Sequence, residues 1–148
     1  MNTITLEATV ENIPSVTAFV EEQLEAMGCP MRAQMQIDVA VDEIFGNIAN
    51  YAYAPGTGEA TVGVELEASG EAVVITFIDG GVPYNPLQKT DPDVTLSAEE
   101  RTVGGLGIFL VKKTMDGMSY AYEDGKNILR LRKRLRPESA GGKEGKAT

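Results

Sequence analysis

The run Val73-Val74-Ile75-Thr76-Phe77-Ile78 is apolar or β-branched throughout and stops at Asp79-Gly80-Gly81. A continuous run of this length, bounded by turn residues, predicts a central strand. The other elements must be arranged around it. The strand ends on a carboxylate, and a long irregular connection follows, Asp79 to Val103, holding three of the seven prolines. Such connections are uncommon inside a compact domain and are usually functional, often as lids. This one closes on Gly104-Gly105-Leu106-Gly107-Ile108-Phe109-Leu110-Val111, a glycine cluster opening an amphipathic helix.

The rest of the chain falls into place on either side. Thr3 to Thr9 alternates and reads as a first strand. Asn12 is placed to cap a helix that starts near Pro14 and stops at Gly28. Pro30 opens a longer helix, Met31 to Tyr53, with an expected apolar stripe of Met35, Val39, Ile44, Phe45, Ile48 and Ala52. Ala60 to Glu67 and Glu71 to Asp79 form a hairpin about Ala68-Ser69-Gly70. After the glycine-opened helix come two more strands, Ser119 to Tyr122 and Asn127 to Leu135, joined at Asp124-Gly125. The order β-α-α-β-β-loop-α-β-β predicts a two-layer α/β sandwich: a mixed, mostly antiparallel sheet with helices on one face. Residues 1–136 are expected to form one domain, and 137–148, small, polar and rich in Gly and Lys, a disordered tail.

Composition removes several chemistries. There is no histidine, so a Ser-His-Asp triad, a Cys-His pair and a histidine-ligated zinc are excluded within this sequence. The lone Cys29 cannot form an intrachain disulfide and reads as a small buried hydrophobe in a cytoplasmic protein. No apolar run is long enough to span a bilayer, and no membrane association is expected. The net charge of −9 argues against direct nucleic-acid binding. It is unevenly spread: residues 1–125 carry 20 acidic and 5 basic residues, net −15, and residues 126–148 carry 2 and 8, net +6. Arg130 to Arg136 alternates Leu with Arg, which predicts a strand with one buried and one cationic face. That face is either solvated or a docking surface for an acidic partner.

Three groups carry candidate chemistry. Glu43 and Asn47 are four residues apart on one helix face, and Asn50 extends the row. Glu43 is a candidate base, and Asn47 offers a neutral oxygen to a hard cation such as Mg²⁺. Taken alone, this is also the pattern of a solvent-facing polar stripe. Asp79 at its strand end reads alone as a turn residue, or else as an acceptor for an adenine amino group. The glycines before the third helix let backbone N–H groups approach an anion, which the helix dipole favours. This is no dinucleotide fingerprint, since Leu110 stands where its third glycine belongs, and no Walker loop is present.

In order and spacing the set closely resembles the Bergerat-fold, or GHKL, ATPases, which include gyrases, histidine kinases and the anti-sigma-factor serine kinases. The resemblance covers roughly residues 3–135. It points to the anti-sigma regulatory group through Ala40-Val41-Asp42-Glu43 with Asn47, the Pro83-Tyr84-Asn85-Pro86-Leu87 stretch and the ending Asp124-Gly125-Lys126-Asn127-Ile128-Leu129-Arg130-Leu131. The chain departs from that pattern at Gly46 and Arg130, where Thr is frequent, and at Tyr51, where His is frequent.

The resemblance implies ATP and Mg²⁺ as cofactors. Glu43 would be the catalytic base, Asn47 the metal ligand and Asp79 the adenine acceptor. Asn50 would extend the nucleotide-binding row and Gly81 would lie beside the base. Gly104, Gly105 and Gly107 would flank the phosphates, and Arg101 would contact the γ-phosphate. The implied activity is phosphorylation of a serine on an anti-anti-sigma (STAS-domain) partner, controlling the availability of a sigma factor, with a homodimer as one open assembly. The alternatives are an ATP-dependent binding module without kinase activity, and the detached ATP-binding half of a histidine kinase.

Overall fold

The computed structural model describes residues 1–88 and 105–135. Strand β1 (Asn2–Glu7) leads through a 3₁₀ turn into α1 (Ile13–Ala26), followed by α2 (Met31–Asn47) and a single π turn (Ile48–Ala52). The hairpin β2 (Glu59–Leu66) and β3 (Ala72–Asp79) comes next. After α3 (Gly105–Thr114), β4 (Gly117–Glu123) and β5 (Lys126–Arg134) form a second hairpin. The tail and most of the long connection, with Arg101 and Gly104, lie outside the described residues.

The five strands are ordered β1-β2-β3-β5-β4, so the apolar run is central, as its sequence predicts. All four ladders are antiparallel, which corrects the mixed sheet expected from the element order. The reason is geometric. Two helices separate β1 from β2, so the chain returns in the opposite sense. One helix separates β3 from β4, which leaves those two strands parallel. Strand β5 then inserts between them and pairs antiparallel with both.

Alternation along the strands points Val62, Val64, Ile75, Phe77, Leu129 and Leu131 into one layer of core. Val16, Val20 and Leu24 of α1, Ile37, Val41 and Phe45 of α2, and Ile108 and Val111 of α3 cover it from the helical side. The expected stripe on α2 is corrected at its N-terminal half. Met35 and Val39 are 59% and 58% exposed, and the inward row is Ala33, Ile37, Ala40, Val41, Ile44 and Phe45. Two apolar rows overlap on this helix. Only the one that continues into Phe45 and Ile48 meets the sheet, and its alanines leave room for close helix packing.

Capping also differs from expectation. Asn12 precedes α1, but its amide donates to the Glu7 carbonyl and not into the helix. Gly28 does end the first helical segment, at φ +73°. The β4–β5 turn places Asp124 and Gly125 at φ +53° and +75°, the left-handed pair a two-residue hairpin turn requires.

The basic strand splits as its alternation predicts. Leu129 and Leu131 are buried, while Arg130 and Arg132 lie on the face away from the helices. Arg132 is engaged in a two-pronged ion pair with Glu67 at 2.7 and 3.1 Å, which holds the Glu67 carboxyl below its usual range. Lys133 points to the helical side, donating to the Thr114 carbonyl at 2.6 Å.

Candidate active site

At the end of β3 the sheet and helices diverge around a cavity of about 600 Å³. That lies within the usual range for small-molecule sites, ~300–1,000 Å³. Ile44, Ile48, Phe77, Ile108 and Leu129 form apolar walls, and three polar side chains, Asn47, Asp79 and Asn127, enter it. Tyr51, Tyr84 and Tyr120 also line it.

Each polar group is positioned by a specific element. Asp79 is the last residue of β3, pointing to the helical side in line with Ile75 and Phe77, and is only 7% exposed. Its Oδ1 accepts from the backbone N–H of Gly81 at 2.9 Å and from Asn127 Nδ2 at 3.0 Å. Its Oδ2 has no hydrogen-bond partner among the described residues, so one oxygen stays available on the cavity side. A half-satisfied buried carboxylate is costly unless a donor or water meets it.

The turn after Asp79 is tied down from several directions. Tyr53 Oη accepts from Gly80 N at 2.7 Å and donates to the Glu59 carbonyl at 2.6 Å. The Ala52 carbonyl accepts from Val82 N at 3.0 Å. Gly81 lies against that carbonyl so closely that a Cβ there would stand 2.3 Å from the Ala52 oxygen. The absence of a side chain at Gly81 therefore serves the contact between the turn and the end of the π turn.

Helix α2 brings Asn47 into the cavity, and Glu43 sits one turn earlier on the same side. The Glu43 carboxylate rests on the first turn of α3: a Cβ on Gly107 would fall 2.0–2.3 Å from its carboxyl atoms. Glu43 also lies near Tyr84, whose hydroxyl pKa is raised by burial first and by the Glu43 charge second, with Lys112 opposing. Asn50 does not join the row. It is exposed and outside the cavity lining, because the π turn that begins at Ile48 has more residues per turn and rotates the i+3 position away. Gly105 begins α3 as the glycine cluster predicts.

Two cavity residues escaped the sequence reading. Asn127 is opposite Asp79 in the β3–β5 register and is 6% exposed, and Tyr120 of β4 donates to its Oδ1. Arg130, which stands where the family pattern frequently has Thr, is opposite Thr76 in the β3–β5 register and faces away from the helices. Strand β5 enters the cavity wall through Asn127 and Leu129.

The family model described as the histidine kinase-like ATPase domain matches residues 6–133. The chain belongs to that family. Within it the relatives are serine or serine/threonine protein kinases. Serine/threonine-protein kinase BtrW of Bordetella bronchiseptica is 31% identical over 108 residues, 73% of this chain and 75% of that protein. Serine-protein kinase RsbW of Bacillus mycoides is 27% identical over 70% of this chain and 66% of its own length. Among solved structures, the RsbU and RsbW domains of Rv1364c from Mycobacterium tuberculosis superpose with a TM-score of 0.63 at 20% identity, covering 93% of this chain and 34% of that one. Acinetobacter baumannii histidine kinase AdeS gives 0.52 at 10% identity, covering 92% and 70%. These two share the fold. Among the described residues of this GHKL domain, no helix is long and apolar enough to cross a membrane.

Proposed function

We propose that the protein is an ATP-binding anti-sigma regulatory kinase that phosphorylates a serine on a STAS-domain partner and so controls a sigma factor. The observation that supports this most is the joint placement of Asp79, Asn47 and Glu43. One free carboxylate oxygen faces an apolar cavity of nucleotide size. A neutral oxygen ligand and a carboxylate lie along α2 toward the glycine-rich start of α3. The serine-kinase names of its relatives favour the same reading.

The residues fit Mg·ATP. Asp79 Oδ2 is a charge-assisted acceptor for an exocyclic amino group. Among the described residues no cluster of three acidic or thiol groups could hold a metal. A Mg²⁺ would accordingly rest on Asn47 and on phosphate oxygens, the sparse protein coordination that this ion tolerates. Bound ATP supplies the phosphoryl group. Glu43 would take the proton from the attacking serine hydroxyl, and α3 would present its first N–H groups to the phosphates.

Calorimetry with Mg·ATP tests the binding half of this reading. Binding is expected, and Asp79→Ala should weaken it by about one to two decades, the worth of one charge-assisted hydrogen bond, roughly 1.5–3 kcal/mol. Affinity unchanged in Asp79→Ala would remove the adenine role from Asp79.

A further inference from the structure

We propose that Asn127 is the positioning residue that makes the cavity selective for a base with an exocyclic amino group, acting through Asp79 and giving the ligand no hydrogen bond of its own. This rests on reading the cavity as an adenine-nucleotide site.

The side chain has no capacity left for a ligand. A primary amide offers two N–H donors and two acceptor lone pairs. Asn127 Nδ2 donates to Asp79 Oδ1 at 3.0 Å and to the Val82 carbonyl at 2.9 Å. Its Oδ1 accepts from Tyr84 N at 3.0 Å and from the Tyr120 hydroxyl. The amide can adopt only this orientation, because the Tyr84 N–H can only donate and the Val82 carbonyl can only accept.

The consequence falls on Asp79. With Gly81 N and Asn127 Nδ2 both on Oδ1, rotation of the carboxylate would break two hydrogen bonds in a buried place. Oδ2 is thereby fixed as the oxygen presented to the cavity. A fixed anionic acceptor rewards an amino group on the base and repels a carbonyl in the same place. Without Asn127 the carboxylate is free to turn and hydrate, and that distinction is blurred. The same amide ties the turn through Val82 and Tyr84 to β4 through Tyr120, so three segments of the cavity wall share one register point.

The test compares affinities for Mg·ADP and for purine riboside diphosphate, the same nucleotide without the 6-amino group. Wild type is expected to prefer ADP by roughly 10–100-fold. In Asn127→Asp, which keeps the shape and replaces the donor facing Asp79 with an oxygen, the ratio should fall to within about 3-fold. Asn127→Ala should behave alike, and circular dichroism and melting would confirm folding in each. If neither folds, Tyr120→Phe decides, since it removes one of the amide's hydrogen bonds by deleting a single oxygen; its ratio should drop several-fold. An unaltered ratio in the folded variants, or equal weakening of both nucleotides, would overturn the positioning role while leaving Asp79 as the base acceptor. No preference in wild type would overturn the adenine reading and this inference with it.

Discussion

At the residue scale, Gly81 and Gly107 both serve protein contacts. Gly81 has no side chain because the Ala52 carbonyl occupies that space, and Gly107 because the Glu43 carboxylate does. The second contact makes a sharp prediction. Gly107→Ala would place a methyl group about where the Glu43 carboxyl now sits, and a helix start is harder to move than a long side chain. Glu43 should swing off its seat, and the phosphate-transfer rate should fall by about two decades or more, within the range for a lost general base. Transfer at the wild-type rate in Gly107→Ala would mean that Glu43 does not work from this position. Glu43, Asn47 and Asp79 could be named as candidates from the sequence because their order and spacing resemble the family pattern; helical spacing or a strand-terminal carboxylate alone fits a solvated stripe or a turn. Asn127 could not, because its importance arises from pairing with a strand 48 residues away.

At the element scale, α2 carries both the site and a poorly solvated carboxyl at its seam with α1. Asp38 lies between α1 and α2, with a buried Oδ1 that has no partner among the described residues. Burial first, and then the neighbouring Glu21 carboxyl, raise its pKa to about 7. Cys29 also senses this carboxylate, its thiol pKa being raised by burial first and by Asp38 next, with Lys133 opposing. A carboxyl with a folded pKa above its unfolded value holds its proton longer in the native state. Stability should therefore decline as pH rises from about 4 to about 7, and the full cost persists above that. Asp38→Asn removes the charge. It should raise stability at pH 8 by roughly 1 kcal/mol, a figure discounted for the solvent screening of a partly exposed carboxyl, and change little near pH 4. Urea melts at the two pH values would measure it, and equal effects at both would contradict this account. The same helix shows where sequence periodicity misled. Met31, Met35 and Val39 form a perfectly spaced row, but they stay exposed, and the sheet selects the row ending in Phe45. Periodicity marks a helix reliably, but here two apolar rows compete, and only the tertiary partner chooses.

At the scale of the whole molecule, one antiparallel sheet and one layer of helices bring the ends of α2, β3, α3 and β5 to a common cavity. Element order was readable from the sequence because strand and helix periods differ. Strand order was not: insertion of β5 between β3 and β4 is a non-local choice, and that insertion delivers Asn127 to Asp79. The central claim is that this cavity transfers phosphate and does not merely hold a nucleotide. The most direct measurement is phosphate transfer from Mg·ATP to a STAS-domain protein that the chain demonstrably binds, wild type against Glu43→Gln. Nucleotide and partner binding should remain nearly intact in the variant, while transfer falls by ~10²–10⁴-fold. Transfer at the wild-type rate in Glu43→Gln, or no transfer by the wild type to a partner it demonstrably binds, would contradict the account.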